Sequence, residues 1–129
     1  MKISICLIVK NEEKILKALE GTSVGGELAA VLKLKDMLDE KQKLFCRAFD
    51  MKCPEGCGSC CEHFMPDVTP MESDDLALGI IAMGREDEAF SKIEAYRPGD
   101  KCFFYNPDNP YHCTVYRWRP LVCRLFGAS

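Results

Sequence analysis

The sequence predicts a small, α-rich α+β domain in which several short helices surround an irregular cysteine-rich core, with a small hairpin near the C-terminus. Three observations predict it. Apolar residues recur at helical spacing through 27–49, 69–84 and 85–96; two runs, Ile3 to Val9 and Cys113-Thr-Val-Tyr116, have strand character; and seven of nine cysteines lie from residue 53 onward in a chain of 129. That length suits one domain. The expected organisation is an N-terminal strand–helix and long-helix segment over 1–50 and a cysteine-rich segment over 51–129, folded together as one compact unit.

Residues Lys2 to Val9 read as a short buried strand, after which Asn11 caps a helix with Glu12 and Glu13 in its first turn and Gly21 beyond its end. Gly21 to Gly26 is a flexible break. Glu27 to Phe49 then has the spacing of the longest helix, with Leu34, Leu38, Phe45 and Phe49 near one face. Cys6 and Cys46 fall inside apolar runs and read as small buried hydrophobes. Thr69-Pro70-Met71-Glu72 combines an N-cap, a proline at the first helical position and a capping-box glutamate. The helix it starts presents Leu76, Ile80 and Met83 inward and ends at Gly84, and a second follows from Arg85 to Tyr96, closed by Pro98-Gly99. From Cys102 the chain turns aromatic, through Phe103, Phe104 and Tyr105. A turn-rich excursion, Asn106 to Pro110, returns to the strand-like Cys113 to Tyr116, and Arg119-Pro120 opens a last helical turn carrying Cys123, Arg124 and Phe126.

Charge and composition narrow the function classes. A net charge of −3 and pI near 5.4, with both signs interspersed, give no electrostatic footprint for nucleic acid or an anionic membrane. The apolar start is too short to span a bilayer and runs into Asn11-Glu-Glu-Lys14 without a cleavage site, so a cytoplasmic location is expected. In a reducing compartment clustered thiols favour metal ligation over disulfides. Cys53-Pro-Glu-Gly-Cys57-Gly-Ser-Cys60-Cys61 places four soft sulfur donors close together, and Cys102, Cys113 and Cys123 supply three more from a distance. Two separated segments are thus expected to converge on one site. Zinc or iron, an iron–sulfur cluster included, is the ligand this donor set suits. Seven thiols exceed one tetrahedral ion: one metal or four-cysteine cluster with spare thiols, or two metals sharing thiolates, would use them. Cys53, Cys57, Cys60 and Cys61 lead the candidates, followed by Cys113, Cys123 and Cys102. His63 and His112 stand next to them as possible nitrogen donors, Arg119 and Arg124 as counter-charges, and Trp118 and Phe126 as shields against water. A protein partner is left unspecified.

Cys53-x3-Cys57-x2-Cys60-Cys61, Thr69-Pro70-x-Glu72, Cys102 before an aromatic triplet, Cys113-x-x-Tyr116 and Arg119-Pro120-x-x-Cys123-Arg124-x-Phe126-Gly127 occur in an order that resembles the CxxCxxCC cysteine-cluster family of zinc- or iron-chelating domains, across about residues 50 to 127. The first cysteine gap is one residue longer than in that pattern, residues 1–50 have no counterpart in it, and the chain stops just past its last motif, as a minimal or truncated version would. The resemblance implies a metal-binding protein. Because the domain also occurs in proteins described as flagellin lysine N-methylases, it carries an alternative, an iron–sulfur protein supporting redox or protein lysine N-methylation chemistry. No catalytic motif is present to name an enzyme. Separately, Ile3 to Glu13 resembles the first strand of family 2 glycosyltransferases, although no Asp-x-Asp follows.

Overall fold

A computed structural model of the chain describes residues 2–51, 57–63 and 65–126, with side chains described from Lys10 to Leu125 within them. Its organising element is α4 (Pro70–Met83), which packs against α1 (Lys2–Ala18) and α2 (Ser23–Ala48), and also against α5 (Glu86–Ala95) and a 3₁₀ turn at Tyr116–Trp118. Two short helices, α3 (Ser59–His63) and α6 (Leu121–Phe126), carry cysteines from the two ends of the cysteine-rich segment.

The expected strand Lys2 to Val9 is helical, and continuous with the residues after it. Strand propensity in the Ile-rich run counts only where a neighbouring strand can pair, and the described residues form a single isolated bridge and no ladder. Asn11 accordingly lies inside α1, not at its cap, and its side-chain amide donates to the Ala82 carbonyl of α4 at 3.3 Å.

α2 starts four residues before the expected Glu27. Thr22 caps it, accepting the Gly25 N–H at 3.0 Å, so Gly25 and Gly26 are first-turn helix and not a flexible break. The helix also turns a different face inward. Leu34, Phe45 and Phe49 are 49, 52 and 67% exposed, whereas Leu28, Val31, Lys35 and Cys46 are buried. Both stripes have helical periodicity; the one containing a lysine goes inside because α4 offers Lys35 an aspartate, Asp75.

The Thr69 capping box forms in full, Pro70 opens α4, and Gly84 closes it in the left-handed conformation at φ 65°. One face of α4 buries Asp75, Leu78 and Ala82, while Leu76, Ile80 and Met83 pack against a cluster of Ala89, Phe104, Cys113 and Val115. In α5 Glu88 accepts from Arg85 at 2.6 Å and pairs with Lys92 at 2.7 Å, on the solvated side.

The hairpin expected near the C-terminus does not form among the described residues. The excursion from Cys102 to Tyr116 has one antiparallel bridge, Tyr105 with Cys113. Asn106 and Asn109 accept backbone N–H bonds from Asp108 and Tyr111 at 2.9 and 3.1 Å, and His112 sits at φ 54°. These local turns, and the 3₁₀ turn at Tyr116, use up the backbone that a ladder would need.

Candidate metal centre

The two cysteine-bearing segments are stitched by backbone. The Cys102 N–H donates to the Cys61 carbonyl at 3.1 Å, and Lys101 pairs with Glu62 at 3.3 Å. Gly58 lies so close to His112 that a Cβ there would collide with the imidazole-bearing carbon, so only glycine lets the first segment approach the turn before Cys113. Glu72 adds a third tie. Its Oε2 accepts the Thr69 N–H at 3.1 Å and hydroxyl at 2.8 Å, leaving Oε1 to accept the Leu121 N–H at 2.7 Å, which fixes the start of α6 and with it Cys123.

Four thiols meet as a result. Cys61, Cys102, Cys113 and Cys123 line one cavity of about 100 Å³, walled by Met65, Leu76, Phe103 and Phe104 and bordered by Arg119. Cys60 stands beside it, its sulfur 4.0 Å from that of Cys61, on the exposed side. Cys57 is exposed, with its thiol 3.3 Å from the Ser59 hydroxyl, and Cys53 lies outside the described residues. Cys46, Cys60, Cys61, Cys102, Cys113 and Cys123 carry free thiols. His63 is exposed, and neither it nor His112, which stacks on Tyr105, lines the cavity. Arg124 is turned away from the thiols, towards Asp39 at 2.5 Å and the carbonyls of Arg117 and Arg119. Trp118 is buried but on the far side of the wall, and the Phe126 side chain is outside the described set.

Burial and mutual proximity shape the electrostatics of these thiols. Burial pushes Cys61 above the ordinary thiol range, and the neighbouring sulfurs of Cys60, Cys102 and Cys113 push it further. Cys123 is raised to about 11 by burial and by Cys102, Cys113 and Cys60, with Arg119 opposing. Burial also raises Cys102 and Cys113, partly offset by backbone N–H groups of Phe104 and Tyr105 at Cys102 and of Val115 at Cys113. Each thiol resists ionising because the others crowd it in an apolar pocket. A divalent ion reverses that balance, binding thiolates as protons leave. Sulfur donors, N–H groups directed at sulfur and one arginine therefore fit zinc or iron. Among the described residues no three donors stand at metal-ligand spacing, and four of the sulfur-bearing residues line the cavity.

Residues 52–129 match the family model CxxCxxCC, "Putative zinc- or iron-chelating domain". The match spans more than half of the chain, and the chain belongs to that family. Comparison with curated proteins and with solved structures gives no match, and nothing supports the glycosyltransferase likeness of residues 3–13, which lie in a helix. No helix among the described residues is long and apolar enough to cross a membrane. Sequence reasoning missed the part of Glu72 that reaches Leu121, the role of Gly58 and the inward face of α2. A buried lysine or aspartate has no sequence signature until its partner is known.

Proposed function

We propose that this protein binds zinc or iron through a split thiolate site in which Cys61, Cys102, Cys113 and Cys123 form the inner set and Cys60, Cys57 and Cys53 form an outer, more exposed group. The observation that carries this reading is the convergence of the four cysteines, three of them separated from Cys61 by 41 to 62 residues, on one apolar cavity. Four sulfurs satisfy one tetrahedral ion, and the outer thiols are the surplus available for a second. Residues 51–129 would be the metal-binding unit, with α1 and α2 bracing α4 behind it.

The test is elemental analysis with thiol counting on protein purified anaerobically under reducing conditions. Near-stoichiometric zinc in a colourless protein, or iron with visible charge-transfer absorption, supports the reading and names the metal. Cys113→Ser should lose the bound metal, and with it about 3–4 kcal/mol of stability if working metal concentration exceeds the dissociation constant by 100- to 1,000-fold. Cys46→Ser, which alters a buried thiol on α2 outside the cavity, should keep it. Metal-free protein whose thiols all titrate freely would defeat the proposal.

A further inference from the structure

The segment Tyr116 to Pro120 has a second cavity on its other face. It is a cleft of about 530 Å³ between α1, α2, α4 and α6, within the range of small-molecule sites, about 300–1,000 Å³. Its lining is ionic, unlike that of the sulfur cavity. Asp75 is 0% and Lys35 2% exposed; they pair with each other, and Lys35 also donates to the Trp118 carbonyl at 3.3 Å. One further polar atom there, Asp75 Oδ1, an acceptor, lacks a hydrogen-bond partner among the described residues, and the Trp118 indole N–H faces the Glu12 carboxylate and favours its ionised form. Glu12, also buried, stands 3.2 Å from the half-exposed guanidinium of Arg117. The inner end thus holds two carboxylates to one ammonium, with the Arg117 guanidinium at its mouth beside Glu12, whereas in the outer part Lys43, Arg119 and the Asp39-paired Arg124 outnumber Asp36 and Asp39. A simple anion would meet the inner carboxylates, and a simple cation would meet the outer arginines.

We propose that this cleft binds a small zwitterion of the amino-acid class, its ammonium group directed inward to Asp75 and Glu12 and its carboxylate held outside by Arg117 and Arg119. A bound ammonium supplies the donor that Asp75 Oδ1 lacks, and the carboxylate finds the planar, forked donors that suit it. Arg119 also borders the sulfur cavity, so an occupied cleft contacts the one residue common to both. The cleft itself contains no cysteine, and its occupancy does not depend on which metal, or whether any, is bound.

Trp118 is the chain's single tryptophan, so its indole N–H signal in ¹⁵N-labelled full-length protein reports on this cleft alone. Glycine, L-leucine, L-glutamate and L-lysine are titrated, with acetate and methylamine as half-ligands. The expected result is a saturable shift with at least one amino acid, and binding at least about tenfold weaker for either half-ligand, the effect of losing one charge-assisted contact. Arg117→Gln, which leaves the Lys35–Asp75 pair intact but removes the counter-charge beside buried Glu12, should weaken that amino acid by about tenfold or more, read at a temperature where thermal unfolding shows the variant folded. Asp75→Asn should do the same where it folds. Absence of a saturable shift up to about 10 mM for all four amino acids, equal binding of acetate or methylamine, or an unaltered affinity in Arg117→Gln would each overturn the proposal.

Discussion

On one side of the Tyr116–Pro120 segment lie thiols and aromatic rings; on the other lie a buried lysine, two buried carboxylates and an indole. The sulfur side keeps its donors neutral, because burial and mutual repulsion raise the thiols above their ordinary range. The ionic side carries its compensation within the chain, as the Lys35–Asp75 pair. The difference teaches where folding energy comes from in each half. On the proposed reading the sulfur cavity would draw on a metal from outside, and its stability should then rise with metal supply. The Lys35–Asp75 pair at the base of the ionic cleft forms once α2 meets α4.

Breaking the internal pair is the most severe test of that contrast. Asp75→Leu leaves the Lys35 ammonium buried without its partner and should cost about 3–5 kcal/mol in urea unfolding of the metal-free protein. Adding Lys35→Met should recover most of the loss, since replacing both charges by apolar groups removes the desolvation cost as well as the attraction. A double variant as unstable as the single one would show that the pair is not what sets stability on this side.

Much of this arrangement was legible in the sequence, and the limits follow a physical line. Signals that act within a few residues came through: the Thr69 capping box, the Gly84 stop, the α5 boundaries and the cysteine motifs that identify the family. Signals that depend on a distant partner did not. Ile3 to Val9 has strand propensity but no strand to pair with, and the excursion after Cys102 has hairpin spacing but spends its backbone on Asx turns. The inward face of α2 was misread because Lys35 looks like a solvent residue until Asp75, 40 positions away, is placed beside it. Of the candidate ligands, the leading cluster at 53–61 contributes Cys61 to the cavity wall, and the downstream three all line it.

Two glycines sharpen the same comparison at smaller cost, one on each side. In α4, Gly79 abuts the Trp118 ring so closely that an added Cβ would overlap it. Gly79→Ala should therefore cost about 1–3 kcal/mol by overpacking, with a shift in Trp118 fluorescence, and leave metal content unchanged. Gly58→Ala pushes apart the two cysteine segments at His112. Its cost should appear mainly as weaker metal retention in a chelator competition, with little change in the unfolding of the metal-free chain. Similar effects of the two substitutions on both measurements would merge the two sides into one cooperative unit.

Acid–base behaviour gives the subtlest contrast, because two buried carboxyls in α1 and α4 are shifted in opposite directions. Burial raises Glu12 above its ordinary value of 4.5 and Asp75 adds to that, with Arg117 opposing but not cancelling it. Burial acts the same way on Glu72, but there the hydroxyl and N–H of Thr69, the N–H of Leu121 and the charge of Lys35 prevail and lower it below 4.5. Glu12 therefore contributes stability that is complete below pH 4.5 and lost as the pH rises through its folded-state value. Glu72 contributes stability that is complete above pH 4.5 and lost as the pH falls through its own. Unfolding measured across about pH 3 to 7 should give difference curves of opposite slope for the two glutamines: relative to the unsubstituted protein, Glu12→Gln gains with rising pH and Glu72→Gln loses. Parallel curves would mean that the cap linking α4 to α6 does not carry the charge-stabilising hydrogen bonds assigned to it, and the tie between the two cysteine segments would rest on the Cys61–Cys102 backbone bond and the Lys101–Glu62 pair.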